Sequence, residues 1–531
     1  MAKSLNLREL SLRSQVWLAT TRPGRLVSRW GAPLAITALA AAMRLVHLGF
    51  PGKLVFDETY YVKGGYSLLR FGYERKWPDD EDTEVNDANV SFEAGDVDVM
   101  LDDPEYVVHP PVGKWMIALG MQLFGADNPF GWRFSSALFG TISVLILILV
   151  GRRLFGSQTL GCVAGLLMAV DGQHLVHSRT GLLDPFLMFW ALLAFWLILL
   201  DRDQMRKRLE SRMRQVRSYS PTGAPLYPDK KWGPRLGMRW YLLGAGVALG
   251  LATGVKWSGL YFLAAFGILV VAWDMADRRA AGIRYWFAAG ALLDGVKAFC
   301  LTVPVAAVTY LIGWTGWFAS ADAYNRHLAE AENYTGPLPN ALQSLLRYHQ
   351  QALDFHTGLT SSHPYQESAL SWLIQLRPTS FYWGTDPTCG TDSCAQAITA
   401  LGNPVIWWLG LGGLGIVLYG AIFWADRRAW AILAGYAGGY LPWFAYLGRT
   451  VFTFYTVAFV PFVVLALTYA LGCAIGPPVA SRARRRTGVI IAGTVVVLAI
   501  ALAAFFWPIW TGESVDRDYW HAHMWLGTKW I

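Results

Sequence analysis

Stretches of about twenty mostly apolar residues recur along this chain, the first being "APLAITALAAAMRLVHLGF" at 32–50. A helix of that length spans the roughly 30 Å hydrocarbon core of a bilayer. Within that core every backbone N–H and C=O must find its partner inside the protein, so the spans are helical. Composition agrees: 54% of residues are hydrophobic and 15% charged. The pattern predicts an all-α polytopic membrane protein with about eleven transmembrane helices, near 30–49, 133–150, 157–171, 181–200, 240–255, 258–275, 286–312, 404–424, 430–447, 452–475 and 487–508. The third and fifth are short and Gly-rich. No cleavable signal is expected, because the first run is long enough to remain in the membrane.

Charge sets the expected orientation. With the N-terminal basic arm (1–29) inside, well over half of the 45 Lys and Arg fall in inward segments, while most Asp and Glu face outward. That is the asymmetry of a plasma-membrane protein with a cytoplasmic N-terminus and an extracytoplasmic C-terminus. The net charge of +8 is thus a separation across the bilayer and carries no nucleic-acid signal. The segment 202–239 reads as a basic surface facing membrane lipids.

The outward side carries the polar complexity. One large loop, 50–132, lies within the membrane module 30–313, and a second, 314–403, follows it; the C-terminal helices 404–508 and a tail, 509–531, come last. "ETYYVKGGYSLLRFG", "PPVGKWMIALGMQLFG" and "NALQSLLRYHQQALDFH" show helical spacing but are too short to cross, so they read as interfacial helices. The acidic stretch 79–105 lacks an EF-hand pattern and reads as a solvated loop rather than a calcium site. Cys389 and Cys394 lie in an outward loop; a local disulfide is favoured over a metal clamp, since no second Cys pair accompanies them. Asp294 and Lys297, three apart within a span, read as a mutually neutralising pair.

Chemistry concentrates where the chain leaves the bilayer. "FDETYY" places Asp57 and Glu58 just after the first span. Acidic residues suit a helix N-terminus, so Asp57 as a simple cap is the competing reading. Lys114, with His109 before it in "HPPVGKW", Arg133, Arg179, Lys256 and Arg449 stand at other outer helix mouths, and Asp184 accompanies Arg179. Five cations at one depth suit an anionic leaving group, whose developing charge they would stabilise. A nearby carboxylate would serve as general base toward an attacking hydroxyl. A lipid-linked phosphosugar meets both needs, with Asp57 as base, Glu58 orienting the acceptor, and His363 and Tyr365 of "SSHPYQ" lining the acceptor groove. No metal ligand set is evident, and no cofactor is expected.

"FDETYY", "HPPVGKW", "WRFSSALFG", "SRTGLLDPFLMFW" and "GVKWSGLY" together resemble the protein O-mannosyltransferase family in its actinobacterial form (glycosyltransferase family 39). The likeness is dense over the first 260 residues and thinner through "SSHPYQESALSW" and "GRTVFTFYTVAFVPF". It implies a GT-C fold with an extracytoplasmic site. It also implies inverting transfer of mannose from polyprenyl phosphate mannose to Ser or Thr of secreted polypeptides. By position, Asp57 matches the family's catalytic acidic residue and Glu58 its neighbour. Arg133 matches an essential Arg, His109 and Lys114 the "HPP" turn, Arg179 and Asp184 the "SR…LLD" signature, and Lys256 the "VKW" turn. Two departures stand out. The 314–403 loop is too short for the β-trefoil domain of eukaryotic members, and "FTFYT" occupies a turn where those members carry His. Expected partners are the lipid donor, polypeptide acceptors, membrane lipids and the secretion machinery. A related transferase acting on lipid or cell-wall glycan would present the same cations. A transporter or flippase fits less well, because no repeat is evident and the polar residues gather on one side.

Overall fold

The computed structural model describes residues 21–78, 88–97, 99–215, 218–219, 225–226, 231–385 and 387–531. Most of the basic arm, the centre of the acidic loop (79–87) and parts of the 202–239 segment lie outside the described residues. The principal helices are α1 Arg22–Leu45, α2 Glu58–Phe71, α3 Val112–Phe124, α4 Pro129–Phe155, α5 Gln158–Ala169, α6 Gly172–His177, α7 Asp184–Gln215 and α8 Trp240–Val255. They continue with α9 Gly259–Ala280, α10 Trp286–Gly313, α11 Asn340–Gly358, α12 Pro404–Phe423, α13 Arg427–Gly439, α14 Thr453–Ile475 and α15 Arg482–Thr511.

Eight of these (α1, α4, α7, α9, α10, α12, α14 and α15) are long and apolar enough to cross a bilayer. The other three expected spans are shorter helices: α5 has 12 residues, α8 has 16 and α13 has 13. Each stops for a local reason. After α5 the buried Asp171 caps a new helix, α6, and its carboxylate accepts from the Asn403 amide and the Trp407 indole. After α13 the chain tightens into a 3₁₀ turn, Leu441–Tyr446, carrying Pro in its first turn. In α8 the glycines serve packing. A Cβ at Gly246 would lie 2.4 Å from the Leu301 carbonyl oxygen, and one at Gly250 2.6 Å from that of Ala306. Absent side chains therefore let α10 close directly on α8, the usual small-residue route to helix association in lipid.

The three amphipathic segments expected at the interface are helices α2, α3 and α11. Strand β1, Thr379–Trp383, β2, Cys394–Ala400, and β3, Ser514–Asp516, form one antiparallel sheet in the order β1–β2–β3. The all-α architecture thus carries a small sheet as an accessory. It binds the tail to the second large loop, since Cys394 pairs with Asp516 and Gln396 with Ser514. Cys389 and Cys394 are disulfide-bonded at its edge.

The Asp294–Lys297 pairing is also corrected. Asp294 lies in a π-helical turn, Gly290–Gly295, and is held by the guanidinium of Arg278, whose Nη2 donates over 3.0 Å. Lys297 instead donates to the Gly237 carbonyl. Arg278 reaches Asp294 from α9, a helix that sequence spacing does not align with it. Replacing Gly250 by Val should force α8 and α10 apart. Overpacking of this kind costs about 1–3 kcal/mol, and a lower apparent melting temperature in detergent is the expected reading.

Candidate active site

The site is assembled around the link between α1 and α2. Glu58, the first residue of α2, is fully buried. Its carboxylate accepts from Arg133 Nε and Nη2, both at 2.8 Å, from the Val55 amide at 2.9 Å and from the Gly181 amide at 2.7 Å. Arg133, near the start of α4, turns its remaining N–H groups to the carbonyls of Leu48, Pro51 and Lys53. A planar guanidinium suits such a bidentate, fully satisfied pairing. One ion pair thereby fixes the loop after α1, the start of α2, the outer end of α4 and the turn before α7.

Two expectations are corrected by this geometry. Glu58 has no free oxygen with which to orient an acceptor, and Arg133 has no free donor for a phosphate. Arg179 is likewise structural: its Nη1 and Nη2 donate to the carbonyls of Met43, Arg44, Val46 and His47, closing the C-terminal end of α1. Cations belong at that end of a helix dipole. Lys114 is buried and donates to both oxygens of Glu74, at 2.6 and 2.8 Å. It pins α3 to the strand-like segment after α2.

Asp57 differs from all of these. It occupies the N-cap position of α2, yet its side chain makes no capping bond, which removes the cap reading. It is half-buried and hydrogen-bonded by Tyr61, one helical turn on. Burial pushes its pKa up to about 6, the nearby Lys256 ammonium pulls it back, Asp184 raises it and Tyr61 lowers it. The residue before it, Phe56, has φ 50°, an uncommon conformation for a bulky side chain. Such strain costs on the order of 1–3 kcal/mol and clusters at functional sites. Phe56 is held there by Phe381, stacked at 4.5 Å, and Phe454, edge-on at 5.1 Å.

Beside Asp57 lies a cavity of about 250 Å³ lined by His109, Asp184, Lys256, Trp257, Tyr261, His356, Trp443, Tyr446, Arg449 and Tyr455, among others. That is roughly eight times a water's share of liquid volume, about 30 Å³. Lys256, where α8 ends, donates to Asp184 Oδ2 at 2.7 Å, at the start of α7, and lies 5.3 Å from the Tyr455 ring centroid. Arg449 is half-buried and meets only a neutral partner, with its Nη2 3.3 Å from His356 Nδ1. Its Nε is buried without a partner, and among the described residues no carboxylate pairs with it. His356 Nε2 donates to the Val108 carbonyl, so Nδ1 is free to accept from Arg449. His109 stacks on His356 at 5.1 Å. Burial first, then Lys256 and Arg449, lower the pKa of both rings, that of His109 strongly, so both are neutral near pH 7. The cavity thus presents one cation balanced by Asp184, one without a counter-ion, and a wall of aromatic and neutral imidazole rings.

Of the residues expected from sequence, the fold brings Asp57, Asp184, Lys256, His109 and Arg449 together. His363 and Tyr365 lie outside the cavity: His363 is exposed, packs on Phe452 at 5.0 Å, and accepts from the Tyr365 amide. Sequence reasoning missed Tyr61, Trp257, Tyr261, His356, Trp443, Tyr446 and Tyr455. Most are aromatics within or beside apolar runs, where they read as membrane-interface residues. Tyr455 sits in "FTFYT", the stretch that departs from the eukaryotic pattern.

Comparison with known proteins follows the same lines. Residues 108–209 match the family described as dolichyl-phosphate-mannose-protein mannosyltransferase, and residues 341–530 the C-terminal four TMM region of protein-O-mannosyltransferase. The chain is 36% identical over 514 residues to the polyprenol-phosphate-mannose–protein mannosyltransferase of Mycolicibacterium smegmatis (strain MKD8), covering 94% of this chain and 92% of that protein. It is 31% identical over 548 residues to the protein of the same name from Corynebacterium glutamicum, covering 99% of each. It superposes on the S. cerevisiae protein O-mannosyltransferase Pmt1–Pmt2 complex bound to the sugar donor with a TM-score of 0.67 and 15% identity, covering 98% of this chain and 94% of that one. At that identity the likeness is one of fold, the GT-C arrangement.

The Glu58–Arg133 pair should behave as a structural lock. Removing one partner of a buried ion pair costs about 3–5 kcal/mol, because the other charge is left uncompensated. Arg133→Met is therefore expected to lose yield of folded protein and melting temperature. A folded, normally stable Arg133→Met protein with selectively weakened donor binding would assign Arg133 to the donor instead.

Proposed function

The chain belongs to the protein O-mannosyltransferase family, and from that membership we propose that it moves mannose from polyprenyl phosphate mannose to Ser and Thr hydroxyls of polypeptides, with Asp57 as general base. It is a membrane glycosyltransferase, and the proposal concerns how this site performs the transfer. The observation that carries it is the arrangement at the cavity: an unpaired carboxylate beside one wall, and a cation without a counter-ion, Arg449, on another.

In a single displacement the acceptor oxygen attacks the anomeric carbon from the face opposite the phosphate. The new C–O bond forms as the bond to the phosphate oxygen breaks, so configuration inverts. The acceptor proton passes to Asp57, and polyprenyl phosphate leaves with the bonding electrons. Asp184 is a poorer base because Lys256 holds it at 2.7 Å. A base with a pKa near 6 balances ionisation against basicity at neutral pH. Arg449 and Lys256 stabilise the charge that grows on the phosphate. His109 and the aromatic wall bound the sugar, since neutral imidazole donates to a hydroxyl without adding charge. Transfer is proposed to be metal-independent, because fixed cations stand where a divalent ion would otherwise neutralise the leaving group.

The acceptor approaches over the exposed surface that carries His363 and Tyr365, whose neighbour Phe452 packs on Phe454 and so adjoins Phe56 and Asp57. The cavity opens on the extracytoplasmic face of the plasma membrane, with the N-terminus cytoplasmic and the C-terminus outside. Association with secretion machinery would deliver unfolded acceptors to this face. The charge asymmetry of the loops is what supports this orientation.

With purified enzyme, labelled polyprenyl phosphate mannose and a Thr-rich peptide, Asp57→Asn should lose about 10²–10⁴-fold in rate while folding and donor binding persist. The sign of the pH effect follows from the base: as pH falls through about 6, Asp57 protonates and the wild-type rate falls. Tyr61→Phe removes a hydrogen bond that favours the ionised carboxylate, so its acid limb should move to higher pH. An unshifted limb in that variant, with activity retained, would take the titration away from Asp57.

Arg449→Gln should lower kcat/KM by about 10²-fold, in the range found when one transition-state donor is removed. Its thermal midpoint should stay near that of the wild type, and EDTA should leave the wild-type rate unchanged. Activity lost in EDTA and restored by one divalent cation would overturn the metal-independent step.

A further inference from the structure

A second cavity, of about 710 Å³, lies far from Asp57, where several helix ends meet. α4 and α15 both run from the catalytic end to it. Arg133 sits near the start of α4 and Phe155 at its end. α15 begins with Arg484 and Arg485 at the cavity and ends at Thr511, beside the Gly512 that approaches Ile398 and Phe50. A 30-residue helix is about 45 Å long. The cavity is therefore at the opposite membrane face from the catalytic site, the face that carries the basic loops.

Its chemistry is that of an anion site open to lipid. Arg428, Arg484 and Arg485 line it. Arg428 is held by Asp426, whose carboxylate it grips through Nε and Nη2. Arg484 and Arg485 meet only backbone carbonyls, those of Cys473 and Pro478, at 3.4 and 3.3 Å. Among the described residues neither has a carboxylate partner. The first turns of α5, α13 and α15 contribute Thr159, Arg428, Arg484 and Arg485 to the lining. The Asp426 carboxylate that caps α13 offsets Arg428, so the positive field comes from Arg484 and Arg485. On the lipid side stand Trp424 and Val489, each 57% exposed. An amphipathic indole at headgroup depth beside exposed aliphatic surface suits acyl chains.

We propose that this cleft binds the phosphate headgroup of an anionic phospholipid, with Arg484 and Arg485 on the phosphate and the acyl chains running down past Val489. The site takes no part in transfer and anchors the face of the protein opposite the catalytic cavity. A phosphate diester carrying a net negative charge fits the uncompensated guanidiniums. A zwitterionic headgroup brings its own cation into the same positive field and is disfavoured.

The test is native mass spectrometry of the full-length detergent-purified protein with added phosphatidylglycerol or phosphatidylcholine. Wild type should retain phosphatidylglycerol preferentially, and the Arg484→Gln/Arg485→Gln double variant should lose that preference by roughly tenfold or more. Thr159→Trp, which fills the cleft without changing its charge, should lose it as well. Both variants should keep wild-type transfer activity, which shows that they are folded. Equal retention of the two lipids by wild type, or undiminished preference in both variants, would overturn the proposal. Displacement of the lipid by millimolar inorganic phosphate alone would also overturn it, by assigning the cleft to a free anion.

Discussion

The Glu58–Arg133 ion pair is the constraint on which the active site rests. Its carboxylate gathers four donors and its guanidinium three carbonyls, so no part of it is left for substrate. Taking two charges out of water is costly, and the gain is one of geometry rather than net stability. What it secures is the direction of the next residue back. With Glu58 anchored inward, Asp57 stands within the influence of Lys256 and Asp184, which line the cavity, and makes no capping bond. The left-handed Phe56 that precedes it is the visible strain of that arrangement, held by two aromatic neighbours.

The cations around the site divide by the same logic. Arg133, Arg179 and Lys114 are buried, and each is saturated by carbonyls or a carboxylate. They hold helix ends together where the chain leaves the bilayer and backbone groups lose their helical partners. Among the described residues, Lys256 and Arg449 are the cations that line the cavity, and of these two Arg449 lacks an anion. The five cations therefore resolve into three that hold the surrounding elements together and two that line the cavity.

The sequence carried the apolar runs, the interfacial helices and the position of Asp57, because each depends on local pattern alone. Residue type and depth also pointed to Lys256, Asp184 and Arg449. What stayed hidden was pairing. Nothing in "FDETYY" tells which of two adjacent carboxylates turns inward, since that is decided by Arg133, 75 residues later. The roles of Arg179 and Lys114 were misread for the same reason: a cation at a helix mouth looks identical whether it meets a phosphate or its neighbour's last carbonyls. His356 was invisible because its importance lies in one contact with Arg449, across 93 residues. The three-stranded sheet escaped because its third strand is three residues long and comes from the tail.

Under the proposed transfer, the electrostatics of the cavity also bear on when Asp57 acts as base. Lys256 is shared in influence between Asp184, which it contacts, and Asp57, whose pKa it lowers. A phosphodiester settling against Arg449 and Lys256 adds negative charge within reach of Asp57. Added negative charge raises a carboxylate's pKa. In the proposed transfer, donor binding therefore strengthens the base at the moment an acceptor needs deprotonation. In the proposed reaction the polyprenyl phosphate product, more highly charged than the donor, raises the pKa further while bound; its departure lowers the pKa again and releases the proton from Asp57. Coupling of this kind needs no moving part. It follows from placing one unpaired carboxylate beside two cations, only one of which has an anion of its own.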